Sequence, residues 1–245
     1  MFNQEDLLIP FHTSPLPPGP WIVFAPHADD ETFGMGGTLL KAKQQGIETH
    51  LVVLTDGSLG GDMSDLAEVR KAEVKLASER LGIRSLHCWS EPDRALYPSS
   101  DMTRKTSDII SSISPASVFF PGALEIHPDH RATAYIVWDS LRKLRSFGIV
   151  PEPFSYEISV QNPINLLIDI TGQNEEKNMV MQLYKSQNAE NNYPELVSAL
   201  NKGRTFSLPK NVKYAEGFYR FRSEDTSSTL ESAVQSIMEL YRQVN

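Results

Sequence analysis

The sequence predicts an α/β fold, a Rossmann-like, doubly wound, mostly parallel sheet with helices on both faces and the active site at the C-terminal edge of the strands. Two observations predict it. Short apolar runs alternate four times with stretches of helical length before residue 148, an order typical of parallel sheets with crossover helices. Polar residues also follow each of these runs, where open parallel sheets bind their ligands.

The apolar pattern predicts the elements of the first half. Strands are expected at 21–25, 50–54, 86–89 and 117–120, and helices at 35–45, 65–81, 103–113 and 130–147. Gly46 and Gly82 are typical residues after a helix end. Helix 65–81 is expected to be amphipathic, because apolar residues recur in it at helical spacing: Leu66, Val69, Ala72, Leu76, Ala77 and Leu81.

The second half is expected to add two strands and three helices. Strands are predicted at 156–160 and 166–170, helices at 175–187, 193–202 and 226–244, and a loop or strand at 214–221. Residues 9–20 hold five prolines and are predicted to form an extended arm. No linker divides the chain, so residues 1–245 are expected to form a single domain.

Composition excludes several classes of function. The 245 residues carry a formal net charge of -8 and no basic run, which argues against nucleic-acid binding. No apolar run is long enough to span a membrane, and residues 1–8 lack the apolar core of a signal peptide. Cys88 is the only cysteine, so no intrachain disulfide forms. We expect a cytoplasmic protein; assembly into a homo-oligomer stays open.

An unusual cluster of polar residues follows the first predicted strand. His27, Asp29, Asp30 and Glu31 crowd onto one turn. Neighbouring carboxylates repel one another, and a divalent cation would relieve the repulsion, since His nitrogen and Asp oxygen are good zinc ligands. The structural alternative is a solvated acidic turn.

A second cluster follows the fourth predicted strand and reads His127-Pro128-Asp129-His130. Pro and Asp suit the first turn of a helix, so the alternative is a capped helix with two incidental histidines. Metal-ligand residue types at two strand ends favour a metal site. One His and one Asp from the first loop and one His from the second would leave a coordination position open for water, as in catalytic zinc sites. Spacing alone does not say which Asp binds the metal.

Both clusters resemble the LmbE-like, or PIG-L, family of zinc-dependent de-N-acetylases. Its motifs Pro-His-Pro-Asp-Asp-Glu and His-Pro-Asp-His match residues 26–31 and 127–130, with Ala28 in place of the usual Pro. Further similarity lies at residues 55–57, around Arg70 and Glu73, and at 185–187 and 214–218.

The resemblance implies a role for each cluster residue. His27, Asp30 and His130 would bind Zn²⁺, or another divalent metal such as Fe²⁺. Asp29 would be the general base that acts on the metal-bound water. His127 would be the protonated group that stabilises the oxyanion or protonates the leaving amine, and Asp129 would hold that histidine.

Two further residues are candidates for substrate binding. Arg70 could bind an anionic group of a substrate, or it could pair with Glu73 on a helix face. Asp93 could line the pocket, although Asp after Pro is also ordinary turn chemistry.

The implied activity is hydrolysis of an N-acetyl amide, and the implied partner is a small-molecule N-acetylated sugar such as an N-acetylglucosamine conjugate. One alternative is an amidase acting on another N-acyl or conjugate substrate. Another is a non-catalytic Rossmann-like ligand-binding protein. Against the latter, Gly34, Gly36 and Gly37 do not have the spacing of a dinucleotide-binding loop.

Overall fold

The structure is a computed structural model that describes residues 5, 8–61 and 65–242. Its centre is a seven-stranded sheet in the order β3-β2-β1-β4-β5-β7-β6. The first five strands are mutually parallel, and β7 runs antiparallel to both of its neighbours. The strands are β1 Trp21–Ala25, β2 Thr49–Thr55, β3 Ser85–Glu91, β4 Ser117–Pro121, β5 Glu152–Tyr156, β6 Leu166–Asp169 and β7 Ala215–Arg220. The predicted α/β fold with a mostly parallel sheet is confirmed.

Helices cover both faces of the sheet. They are α1 Asp30–Gln44, α2 Leu66–Leu81, α3 Ser100–Ile113, α4 Pro128–Arg145, α5 Asn174–Met181, α6 Lys185–Asn188, α7 Tyr193–Gly203 and α8 Leu230–Leu240. Side chains alternate along β1, so Trp21 and Val23 pack with α1 and α2 while Ile22 and Phe24 pack with α3 and α4. Among the described residues, no helix combines the length and the apolar character needed to cross a membrane.

Two predicted elements of the first half need correction. Helix α1 begins at Asp30 rather than at residue 35, and non-helical dihedral angles at Met35 interrupt it. In α2, Leu76 is 53% exposed and Ala72 is also exposed. The buried face of α2 instead includes Arg70 and Glu73. The spacing of apolar residues did not predict this face, because two of its buried side chains, Arg70 and Glu73, are charged.

The second half differs more from the prediction. The strand predicted at 156–160 is wrong, since β5 ends at Tyr156 and the next residues donate backbone N–H groups to Glu125 instead of to a strand. The helix predicted at 175–187 is divided into α5 and α6. The last helix starts at Leu230 after a 3₁₀ turn, Ser223–Ser227, and residues 243–244 of its predicted range lie outside the described residues.

A buried ion pair satisfies the backbone groups that the interruption of α1 leaves free. Lys177 Nζ donates to Phe33 O at 2.9 Å. The Glu216 carboxylate accepts from Gly37 N at 2.8 Å and from Thr38 N at 2.7 Å. The two side chains are fully buried and lie 2.7 Å apart. They therefore hold the first turn of α1, which carries part of the acidic cluster.

Candidate active site and metal centre

The two polar clusters meet where β1 and β4 lie side by side at the centre of the sheet. The chain leaves β1 toward α1 on one face and β4 toward α4 on the other, which makes this a topological switch point. The loop after β1 and the start of α4 thus bring six predicted site residues to one edge: His27, Asp29, Asp30, His127, Asp129 and His130.

Asp30 lies between two histidines. Its Oδ2 is 3.1 Å from His27 Nδ1 and 3.4 Å from His130 Nε2. Tetrahedral zinc with bonds of about 2.0–2.2 Å separates its ligand atoms by roughly 3.3–3.6 Å. All three side chains are buried. The donor types of this ligand set suit a divalent cation, and the two distances that involve Asp30 are close to that spacing. Among the described residues, two groups have ligand atoms that all lie within 4.8 Å of one another: His27, His127 and His130, and His27, Asp93, His127 and Asp129. The geometry therefore supports a metal site here but does not select Asp30 as one of its ligands.

Charges around these atoms also fit a cation. Burial alone would lower the pKa of His27, but hydrogen bonds with Asp129, Asp30 and Asp93 raise it well above its ordinary value. Burial likewise opposes charge on His130, yet Asp30 raises its pKa to about 9. The carboxylates thus favour positive charge at the two ring positions. A divalent cation bound by the unprotonated rings would supply that charge.

Asp129 contacts a different histidine from the one expected. Its carboxylate Oδ2 lies 3.2 Å from His27 Nε2 and accepts from Arg94 N at 2.8 Å. Asp93 Oδ1 is 3.4 Å from the same His27 nitrogen. The Asp129 backbone N–H, rather than its carboxylate, pairs with His127 Nδ1 at 3.2 Å. In this geometry Asp129 orients His27, with His27 Nδ1 left facing Asp30.

Asp29 occupies an unusual backbone conformation beside the ligand set. It is the N-cap of α1 with φ of 149°, a region that residues other than glycine rarely adopt. Its side chain makes no hydrogen bond within the part of the chain that the structure describes, and it lines the pocket. Burial, and then the charge of Asp30, raises the pKa of the Asp29 carboxyl. Strain and crowding of this kind are typical of functional positions.

His127 also lines the pocket, and its ring centroid lies 4.6 Å from that of His27. Its pKa is lowered to about 4, by burial first and then by the positive charges on His27 and His130. The resemblance implies a protonated His127 at neutral pH, which this lowered pKa does not favour.

A pocket of 310 Å³ opens over the cluster. One wall is polar and includes both predicted substrate-binding residues. Arg70 is 3% exposed, and its Nε has no hydrogen-bond partner among the described residues. Asp93 accepts from Leu59 N at 3.0 Å. Asp56, which also follows a strand, does not line the pocket; it accepts from Ser58 N.

Sequence reasoning missed a second part of the pocket lining, its apolar wall. This wall consists of Leu59, Ile158, Tyr193, Leu196, Val197 and Leu200. Four of these residues lie on α7 at the i, i+3, i+4, i+7 spacing of one helix face. That spacing was a usable signal, although it could not show that the face lies against the site. Glu31 was placed in the first cluster by the sequence but given no role. Its carboxylate accepts from Thr32 Oγ1 at 2.6 Å and from Tyr184 OH, and it thereby ties α1 to the segment after α5.

Comparison with known families tests the resemblance. The model of the PIG-L family, described as GlcNAc-PI de-N-acetylase, matches residues 22–141. That segment runs from β1 into α4 and includes both clusters.

Residues 22–141 of this chain match the PIG-L family.

Two curated relatives have related activities in their names. Diacetylchitobiose deacetylase of Thermococcus kodakarensis is 34% identical over 119 residues, 45% of this chain and 45% of the relative. Probable N-acetyl-alpha-D-glucosaminyl L-malate deacetylase 2 of Bacillus anthracis is 33% identical over 156 residues, 58% of this chain and 66% of the relative. The matches thus span from under half to about two thirds of these relatives.

A solved structure supports the fold. The N,N'-diacetylchitobiose deacetylase of Pyrococcus horikoshii superposes with a TM-score of 0.74 at 24% identity, covering 87% of this chain and 88% of that one. At this identity the likeness establishes the α/β fold and not the reaction.

Proposed function

We propose that this chain is a metal-dependent N-deacetylase that acts on a sugar conjugate of the N-acetylglucosamine type. The observation that carries the proposal is the position of Asp30 between His27 and His130, with Asp29 beside it in the same pocket. The names of the two curated relatives support the substrate class.

His27, Asp30 and His130 would hold the cation, which is zinc in this proposal, with Fe²⁺ as the alternative. When bound, such a cation polarises the amide carbonyl and lowers the pKa of a coordinated water to about 7. Asp29 takes a proton from the attacking water, since its carboxylate faces the pocket and makes no competing hydrogen bond among the described residues. In its protonated form His127 would stabilise the negative charge that develops on the carbonyl oxygen and would then give its own proton to the leaving amine. The products are acetate and the free amino sugar.

Arg70 and Asp93 would bind the polar groups of the sugar. The unpartnered Nε of Arg70 can donate to a hydroxyl or an anionic substituent. Asp93 lines the pocket, and its Oδ1, which also lies 3.4 Å from His27 Nε2, can accept from a hydroxyl. The apolar wall on α7 would pack against the rest of the conjugate.

A substrate panel tests the proposal directly. The purified protein is first analysed for metal, with roughly one divalent ion per chain expected because such sites bind tightly. N-acetylated sugars and glycoconjugates are then assayed for free amine and for acetate. Turnover of an N-acetylglucosamine conjugate supports the proposal. A metal-loaded protein that turns over no member of the panel contradicts it and favours the non-catalytic ligand-binding alternative.

A second candidate is an amidase for larger N-acyl groups. The apolar wall favours it, because Leu196, Val197 and Leu200 offer more apolar surface than an acetyl methyl group needs. A series of N-acyl glucosamine conjugates from acetyl to hexanoyl separates the candidates. The amidase is supported if kcat/KM of the native protein rises with the length of the acyl chain and the Leu200→Ala variant loses this rise. A maximum at acetyl excludes it.

A further inference from the structure

A buried carboxylate outside the proposed ligand set lies behind His130. Glu125, in the loop between β4 and α4, is 1% exposed. Its Oε2 lies 3.5 Å from His130 Nδ1, the ring nitrogen that does not face Asp30. Among the described residues Nδ1 has no other acceptor within hydrogen-bonding distance. This separation is at the long end for a hydrogen bond, as is common in sites that tighten when their ligand binds.

Other contacts fix the Glu125 carboxylate independently of the histidine. Oε1 accepts from Ile158 N at 2.9 Å and from Asn162 Nδ2 at 3.2 Å, and Oε2 accepts from Ser159 N at 3.0 Å. These three donors come from the loop after β5, and Ile158 and Ser159 line the pocket. The orientation of the carboxylate is therefore set by the pocket wall.

We propose that Glu125 is a positioning residue for the metal centre. It holds the proton of His130 on Nδ1, so that the lone pair of Nε2 faces Asp30 and is free to bind a cation. The same carboxylate couples that histidine to Ile158 and Ser159 in the pocket wall. The inference rests on the proposed function only in its assignment of His130 as a ligand. Carboxylate partners of ligand histidines typically contribute 10–100-fold to metal affinity.

A purely structural role for Glu125 predicts a different result. If the carboxylate served only to satisfy loop N–H groups, its loss would lower stability and leave metal affinity unchanged. Glu73 provides a matched control, because its buried carboxylate also accepts a backbone N–H, from Ser186 in α6 at 2.9 Å, but contacts no ligand histidine among the described residues. Asn162→Ala is a second control, since it removes one donor to Glu125 and leaves the contact with His130.

Zinc affinity of the full chain provides the test, measured at equilibrium by competition with a chromophoric chelator. Glu125→Gln and Glu125→Ala should bind zinc about 10–100-fold more weakly than the native protein. Glu73→Gln and Asn162→Ala should keep native affinity even if their unfolding midpoints fall. Native affinity in a folded Glu125→Ala protein would overturn the proposal.

A second test uses the native protein, so its result does not depend on whether a variant folds. In the zinc-loaded state, long-range ¹H–¹⁵N NMR spectra should show His130 protonated on Nδ1. A ring without a proton there overturns the proposal. If zinc binds and Glu125 affects its affinity, but no amide is hydrolysed, the inference stands and the proposed deacetylase activity fails. If the native protein binds no zinc, both fail.

Discussion

Replacing Asp29 by Asn should separate catalysis from metal binding. Asn is nearly isosteric with Asp, so the turn with φ of 149° should persist. The Asp29 side chain makes no hydrogen bond among the described residues that the substitution would break. It also removes a charge beside Asp30, so the folded state should lose no stability.

The expected effect on turnover follows from the proposed role of this carboxylate. An amide oxygen does not take a proton from the attacking water, and general-base assistance is commonly worth 10²–10⁴-fold. At 1.36 kcal/mol for each factor of ten, the barrier of the chemical step should rise by about 2.7–5.4 kcal/mol. Binding contacts of the substrate with the pocket walls are untouched, so kcat should fall far more than KM changes.

Asp30→Asn makes the same substitution at the neighbouring residue, but we expect it to affect metal binding as well as turnover. Asp30 Oδ2 accepts from His27 N at 2.9 Å and lies within 3.4 Å of both proposed ligand nitrogens. An uncharged amide there is a much weaker metal ligand, so metal content and activity should fall together.

The assay pairs metal content per chain with steady-state turnover of the best substrate for native protein and both variants. Circular dichroism confirms that each variant folds. If Asp29→Asn loses its metal while Asp30→Asn retains it, the two roles are reversed. If Asp29→Asn retains native kcat, no general base acts from this position.

Three further predictions concern the fold and the metal. Lys177→Met should lower the free energy of unfolding in urea by about 3–5 kcal/mol, because Glu216 is left as an unpaired buried charge; a loss no larger than that of the exposed control Lys185→Met would contradict this. Gly34→Ala should lower the unfolding temperature by an amount that corresponds to about 1–3 kcal/mol, because a Cβ there would overlap the Tyr156 ring, and a native unfolding temperature would show that the packing is looser. Removing metal with a chelator should abolish turnover and added zinc should restore it, as followed by amine release; full activity of a metal-free sample would exclude metal dependence.

The central strands were predictable from the sequence because they are buried on both faces. Residues 21–25 and 118–120 are continuous apolar runs, as expected for strands inside a parallel sheet. Pattern reasoning failed where polar side chains turn inward. In α2, Arg70 and Glu73 lie on the buried face, and the strand predicted after Tyr156 is a loop held by Glu125. Departures of this kind are expected near functional sites, where local patterns are overridden.

The sequence by itself determined the fold class and the two polar clusters, because a strand, its following turn and a helix start are local in the chain. Only the tertiary structure decided which carboxylate faces which histidine. His27 and Asp129 are 102 residues apart in the chain, yet their side chains lie 3.2 Å apart. The tertiary structure was also needed to locate the apolar wall on α7 and the contact of Glu125 with His130. Sequence spacing carries no information on the orientation of side chains that meet across a sheet edge, since that orientation is set by the packing of distant elements.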